Sequence, residues 1–247
     1  MCLHGFTDTW RTWELVLPAL ERRHDVLAPT LAGHAGGPTL GEVGDGVLAD
    51  AVERAMDDAG FERAHLVGNS LGGHLALQLA ARGRAESVVA LAPAGGWIEG
   101  DGSFENTLEF FATMQGTLRS ALAHVDSIVG TVDGRRRATR HIVTRFEHIP
   151  AELIAHQILG AAACPGVFPL IELGLRRGWP LRAERIDCPV RIVWGMDDML
   201  LRWPSAAARF RQSLPHADWV ELDGVGHCPQ LDVPLETAQL ILEFTGR

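Results

Sequence analysis

The chain has 247 residues, of which 47% are hydrophobic, and a formal net charge of −9. That length and apolar content suit one globular unit, or one unit with an insertion, and exclude a disordered tail. The acidic balance, with no lysine and every basic residue an arginine, argues against a nucleic-acid partner or an anionic membrane surface.

Met1-Cys2-Leu3 reads as a strand stub running into His4-Gly5-Phe6. The spacing of Trp13, Val16, Leu17 and Leu20 predicts a helix over 12–20. Residues 25–28 read as a strand, 30–38 as a Gly/Pro-rich loop, and 43–59 as a helix stopped by Gly60. A short buried strand at 64–67 ends at Gly68, and an apolar helix through Leu71, Leu75, Leu77 and Leu79 extends to about Arg82. Residues 87–91 form another strand, ended by Pro93 and Gly95-Gly96. From 97 to 186 the patterns are helical only: 104–123, 135–147, 150–162 and 165–176. Within that interval Arg135-Arg136-Arg137 and Arg140 read as a solvated helix face. Strand 190–194, helix 205–214, strand 219–222 and helix 234–244 complete the chain, with Pro234 in a first helical turn. Alternating strands and helices predict an α/β fold with a parallel sheet covered on both faces. The helical interval is expected to be an insertion over the sheet's C-terminal edge.

Cys2, Cys164, Cys188 and Cys228 have neither C-x-x-C spacing nor a disulfide framework, which suits buried thiols in a reducing compartment. No apolar run reaches membrane-spanning length, and Met1 is not followed by the regions of a secretion signal. The expected location is therefore cytoplasmic, without a membrane partner.

Gly68-Asn69-Ser70-Leu71-Gly72-Gly73 carries the chemistry. A serine on a sharp strand-to-helix turn presents its hydroxyl away from the backbone, beside free N–H groups of a helix N-terminus. The flanking glycines admit so tight a turn. With 27 glycines in the chain a bare G-x-S-x-G is weak on its own, so partners decide. Serine needs a base, and His227 follows the 219–222 strand in Val225-Gly226-His227-Cys228-Pro229. Loops at the C-terminal ends of parallel strands are where such a sheet carries its reactive groups. The base needs a carboxylate, and Trp194-Gly195-Met196-Asp197-Asp198 offers two, Asp197 and Asp198. An oxyanion hole needs backbone N–H donors, which Leu71 and Phe6 can supply.

His4–Trp10 (HGFTDTW), GNSLGG, WGMDD and GVGHCPQLDVP, in that order, resemble the α/β-hydrolase superfamily over nearly the whole chain. The resemblance implies an α/β-hydrolase core at 1–96 and 187–247 and a helical cap at 97–186, inserted after the family's sixth strand. By the family's W-G-x-x-D pattern it implies Asp198 as the triad acid, with Ser70 and His227. Family members carry two strands and a full third strand before the HG loop. The first strands are therefore absent here, the N-terminus is expected to be shortened, and an upstream extension is expected to raise stability and activity. The family's dehalogenases and epoxide hydrolases use an aspartate nucleophile, from which Ser70 separates this chain.

The expected activity is that of a serine hydrolase cleaving a small, largely apolar carboxylic ester through an acyl-enzyme intermediate. The alternatives are a carbon–carbon bond hydrolase of ring-cleavage diketones, to whose members Asn69 before the serine is common, and a ligand-binding relative with negligible turnover. Candidate substrate-binding residues are His4, Phe104, Phe111 and Met114; Phe104, Phe110, Phe111 and Met114 equally suit packing within the cap. His34 and His74 read as supporting or surface histidines. His4, His34 and His227 lack metal-ligand spacing and no dinucleotide or phosphate loop occurs, so no metal or cofactor is expected beside the small-molecule substrate.

Overall fold

The computed structural model describes residues 1–44, 46–98 and 100–246. Its frame is a five-stranded sheet of β1 (Cys2–Leu3), β2 (Ala64–Asn69), β3 (Ala85–Leu91), β4 (Val190–Gly195) and β5 (Asp218–Leu222), adjacent in that order. Every pairing is parallel, with Leu3 opposite Gly68, Gly68 opposite Ala90, and Val193 opposite both Leu91 and Val220. The helices of the first part are α1 (Leu17–Leu20), α2 (Val47–Asp58) and α3 (Leu71–Ala81). Between β3 and β4 come α4 (Ser103–Ala121), α5 (Val125–Val129), α6 (Val132–Thr139), α7 (Ala151–Ala162) and α8 (Val167–Arg177). The last part adds α9 (Ala208–Ser213), α10 (Pro229–Asp232) and α11 (Pro234–Thr245).

Side-chain alternation along the central strands divides the core in two. Val88, Ala90, Ile192 and Trp194 pack on the face covered by α2, α3 and α9, with Met56, Leu77, Leu79 and Phe210. Val89, Leu91 and Val193 pack on the other face, against Trp13, Leu20, Ile241 and Phe244 from the first turns, α1 and α11. The helices after β3 have cores of their own. One joins Leu153, Ile154 and Ile158 of α7 to Val125, Val129 and Leu231, and a smaller one joins Leu108 of α4 to Val167 and Ile171 of α8. Among the described residues no single helix is long and apolar enough to cross a membrane; α7 and α8 are so only jointly, and they are bent by 66°.

The structure departs from sequence expectation at several places, each with a local cause. The helix expected over 12–20 is a 3-10 turn at Trp10–Trp13 followed by the short α1, because Pro18 has no N–H to bond back into a preceding turn. Residues 25–28 form no strand: β1 offers them one bond, Cys2 N–H to Leu27 O at 2.8 Å. Of the helix expected over 43–59, Val47–Asp58 is helical and Asp45 lies outside the described residues. The helix expected over 135–147 stops at Thr139, where the chain trades helical bonds for others: Thr144 N–H and Arg145 N–H donate to the Asp232 carboxylate at 2.9 and 2.7 Å.

A candidate active site

Ser70 lies between β2 and α3 with φ 53° and ψ −115°, a left-handed conformation that a side chain with a Cβ seldom adopts. Its backbone is held on three sides. Ser70 N–H donates to Leu91 O at 2.9 Å, and Ser70 O accepts from Ala94 N–H at 2.9 Å and His74 N–H at 3.1 Å. The first turn of α3 can press against β1 only because residue 72 is glycine, where a Cβ would come within 2.1 Å of Leu3 O. The His4-Gly5-Phe6 loop lies alongside, since a Cβ on Gly5 would meet Ser70 Cβ at 3.4 Å. His4, fully buried, shapes that loop: Leu31 N–H donates to Nε2 at 2.8 Å, which leaves Nδ1–H to donate to Gly5 O at 2.7 Å.

His227 and Asp198 meet. Nδ1 of His227 lies 2.7 Å from Oδ2 of Asp198, and the side chains are only 4% and 0% exposed. The other carboxylate oxygen of Asp198 accepts Leu200 N–H and Leu201 N–H, each at 2.8 Å, in the turn after β4. Asp197 is exposed and does not reach the histidine. The two loops touch through a glycine, for a Cβ on Gly195 would lie 2.2 Å from Gly226 O.

Asn69 and Asp232 hold this arrangement together, and neither had a role assigned from sequence. Asn69, 1% exposed, donates through Nδ2 to Leu91 O at 3.1 Å and to His227 O at 2.9 Å, while its Oδ1 accepts from Gln230 Nε2 at 3.2 Å. It thus ties the end of the serine strand to the histidine loop. Asp232, equally buried, accepts Gly226 N–H at 2.6 Å beside the two amides after α6, joining the histidine loop to the helices above it. The available signals were a primary amide ending an apolar strand, and an acid five residues past the histidine.

Ser70 and His227 line two cavities that share Phe6, Phe111 and Leu200, so they form two lobes meeting at the serine. The first, about 200 Å³, is walled mainly by apolar side chains such as Leu71, Leu75, Trp97, Leu108 and Ile171. The second, about 140 Å³, adds Asp8, Gln115, Thr139, His141 and Gln157 to its apolar wall. Phe111 and Met114 line it, and so does Phe110. His4 and Phe104, candidates for substrate contact, line neither lobe. The His4 ring is committed to loop bonds, and Phe104 packs on Trp97 and Trp179 at 5.3 and 6.2 Å between ring centres. Burial dominates the local titration. Desolvation lowers His34 and His74 to about 4 and raises Asp8 to about 6, and it pushes the Cys228 thiol well up, helped by Asp8, Asp198 and Asp232. Among the described residues, no group of three His, Cys, Asp or Glu side chains could hold a metal ion.

The profile of the Alpha/beta hydrolase family matches residues 1–240. The chain is 35% identical over 202 residues to the protein named epoxide hydrolase EphH of Mycobacterium tuberculosis, covering 80% of this chain and 93% of that one. It is 27% identical over 205 residues to a 2-hydroxy-6-oxononadienedioate/2-hydroxy-6-oxononatrienedioate hydrolase of Paraburkholderia phymatum, covering 81% and 68%. In fold it is similar to the enol-lactonase of Burkholderia xenovorans, with a TM-score of 0.73 at 19% identity over 100% of this chain and 90% of the other. With a parallel sheet, a serine between its second strand and third helix, and a family profile spanning nearly its whole length, the chain belongs to the α/β-hydrolase family.

Proposed function

We propose that this hydrolase cleaves a small, largely apolar carboxylic ester through an acyl-enzyme intermediate. The observation that carries the proposal is the shared cavity: Ser70 and His227 line the same two lobes, and His227 is backed by the buried Asp198 carboxylate. Among the described residues no protein partner engages Ser70 Oγ. His227 takes the hydroxyl proton through Nε2 as Oγ attacks the ester carbonyl, and Asp198 holds the tautomer and steadies the imidazolium. The carbonyl oxygen becomes an oxyanion held by Phe6 N–H and Leu71 N–H, neither of which is spent on a bond within the chain among the described residues. The intermediate collapses as His227 returns the proton to the departing alkoxide. Water, deprotonated by the same imidazole, then releases the acid.

Epoxide opening fits these residues poorly. A carboxylate nucleophile yields an ester that water can cleave, whereas attack by Ser70 on an epoxide would leave an ether with no leaving group to expel. A carbon–carbon hydrolase of ring-cleavage diketones is the second candidate, favoured by the resemblance to the Paraburkholderia protein and compatible with the same serine and histidine. Its name denotes a dianionic substrate. Arg177 of the first lobe is the one arginine lining either lobe among the described residues.

Fluorophosphonate labelling followed by peptide mass mapping tests the nucleophile. The expected outcome is one modified site at Ser70, lost in Ser70→Ala, with p-nitrophenyl ester turnover falling on the order of 10⁶-fold. A folded protein that neither labels at Ser70 nor turns over any of a series of esters of rising acyl length would refute the proposal.

A further inference from the structure

Among the described residues, Asp8 is the one carboxylate lining either lobe, and the ester chemistry above does not use it. Asp8 follows the His4-Gly5-Phe6 loop, is half-buried, and lines the lobe that Ser70 and His227 also line. Its Oδ1 accepts Thr9 N–H at 2.8 Å, and the polar side chains of Thr12 and of Gln157 on α7 lie near enough to favour its charged form. A carboxylate offers roughly four acceptor positions. Thr9 N–H fills one of them, and positions remain open to an occupant of the lobe.

The charge here is costly to keep. Desolvation raises Asp8 to about 6, whereas an asparagine could accept the same Thr9 N–H with no charge to bury. Nothing of opposite sign offsets it within the lobe: no arginine lines it among the described residues, and the chain contains no lysine. His141 is the other imidazole in the wall besides His227 among the described residues. Burial and the adjacent Arg140 lower its proton affinity, and its Nε2 accepts from Arg140 Nε at 2.9 Å. Burial presses the Cys228 thiol in the same wall upward, and Asp8, Asp198 and Asp232 add to it, so these carboxylates set a negative local field. An arm bearing a carboxylate would enter that field unpaired, while a hydroxyl or an ammonium would find an open acceptor.

We infer that Asp8 is a specificity-determining residue: its carboxylate receives a hydrogen-bond-donating terminus, hydroxyl or ammonium, on the ester arm lying in the second lobe, and rejects arms that end in a carboxylate. The substrate class becomes an ester with one apolar arm, housed in the first lobe, and one short arm ending in an alcohol or amine. This rests on the ester activity proposed above.

Two panels of matched esters test it, one varied at the end of the acyl arm and one at the end of the alcohol arm, with methyl, hydroxyl, ammonium and carboxylate termini. In one panel the wild type should favour hydroxyl and ammonium over carboxylate on the order of 100-fold in kcat/KM, most of it in KM. In Asp8→Asn the ammonium-to-carboxylate ratio should fall at least about tenfold; being a ratio within one variant, it does not depend on how much active protein survives. The wild-type panels stand alone if the variant does not fold. Equal rates across both panels, or a preference for carboxylate, in a protein whose Ser70 labels with fluorophosphonate would overturn the role of Asp8 and leave the ester activity standing. An Asp8→Asn ratio equal to the wild-type ratio would overturn the role and mean that Asp8 only holds its own turn through Thr9 N–H. Absence of both labelling and turnover would overturn the ester proposal and this inference with it.

Discussion

Asp197 and Asp198 are consecutive, yet the turn after β4 gives them opposite environments. Asp198 turns inward, where two backbone amides fix one carboxylate oxygen and the His227 ring takes the other. Asp197 turns out to water, held only through its backbone, with N–H donating to Val225 O at 3.0 Å. A carboxylate behind a catalytic imidazole selects the tautomer whose free nitrogen faces the serine. Replacing Asp198 by Asn allows the amide to donate to Nδ1 and strand the proton on the wrong nitrogen. The expected outcome is a fall in ester kcat of about 10³–10⁴-fold for Asp198→Asn and a change within about twofold for Asp197→Asn. Steady-state kinetics on both variants decides it; equal losses would remove the distinction that the turn appoints. The family's W-G-x-x-D pattern pointed to the same carboxylate, but residue chemistry alone left the pair open, because two adjacent acids have the same pattern until a turn sends them to opposite sides.

At the scale of elements, three loops from separate strand ends must stay in register, and buried polar side chains hold them so. Asn69 at the end of β2 bonds Leu91 O at the end of β3 and His227 O beyond β5. Asn69→Asp keeps the shape but aims a carboxylate oxygen at two carbonyls in a dry site, leaving His227 O without its side-chain donor and Leu91 O with Ser70 N–H alone. A stability loss of about 1–3 kcal/mol is expected. A displaced His227 should slow fluorophosphonate labelling of Ser70 by about 10²-fold. Labelling at the wild-type rate with lowered stability would make Asn69 purely structural. The sequence made the central strands legible, since continuous apolar runs between turn signals have few other uses. Ser70, Asp198 and His227 were legible as candidates because each follows a strand end in a short glycine-containing turn or loop. Less was legible where tertiary bonds override local pattern. The chain after α6 leaves the helix to reach Asp232, the first helix breaks at Pro18, and 25–28 lack the partner that would make them a strand. His4 and Phe104 look like cavity residues by type, but the loop takes the first and packing on Trp97 and Trp179 takes the second. Asp8 is the reverse case, a turn-type residue in sequence that folding delivers to the wall of the second lobe.

Across the whole molecule, burial of titratable groups near the cavity fixes how the fold answers acid. His34 and His74 are 1% and 2% exposed and lowered from an ordinary 6.5 to about 4, chiefly by desolvation; His4 is also lowered well below its ordinary value, by the same cause and by His34. Between these values the unfolded chain binds protons that the native state refuses, so stability is full above pH 6.5 and declines toward pH 4. Each of the two histidines can account for up to about 3 kcal/mol of that decline. Asp8 acts in the opposite sense. Its native value of about 6 exceeds its ordinary 3.8, so the native state holds the extra proton and acid favours it. Its contribution is up to about 3 kcal/mol, reduced by its partial exposure to the cavity. Three histidines against one carboxyl leave a net loss on acidification. Urea unfolding should therefore give a lower stability at pH 4.5 than at pH 7, by about 3 kcal/mol or more. His74→Leu should flatten that slope, because it removes one proton-refusing group. Asp8→Asn should steepen it, because it removes the group that opposes the decline. Two variants moving one slope in opposite directions exclude a general acid effect on surface charge, which would shift both alike. A wild-type slope near zero, or the same slope in all three proteins, would show that these buried groups titrate as they do in water.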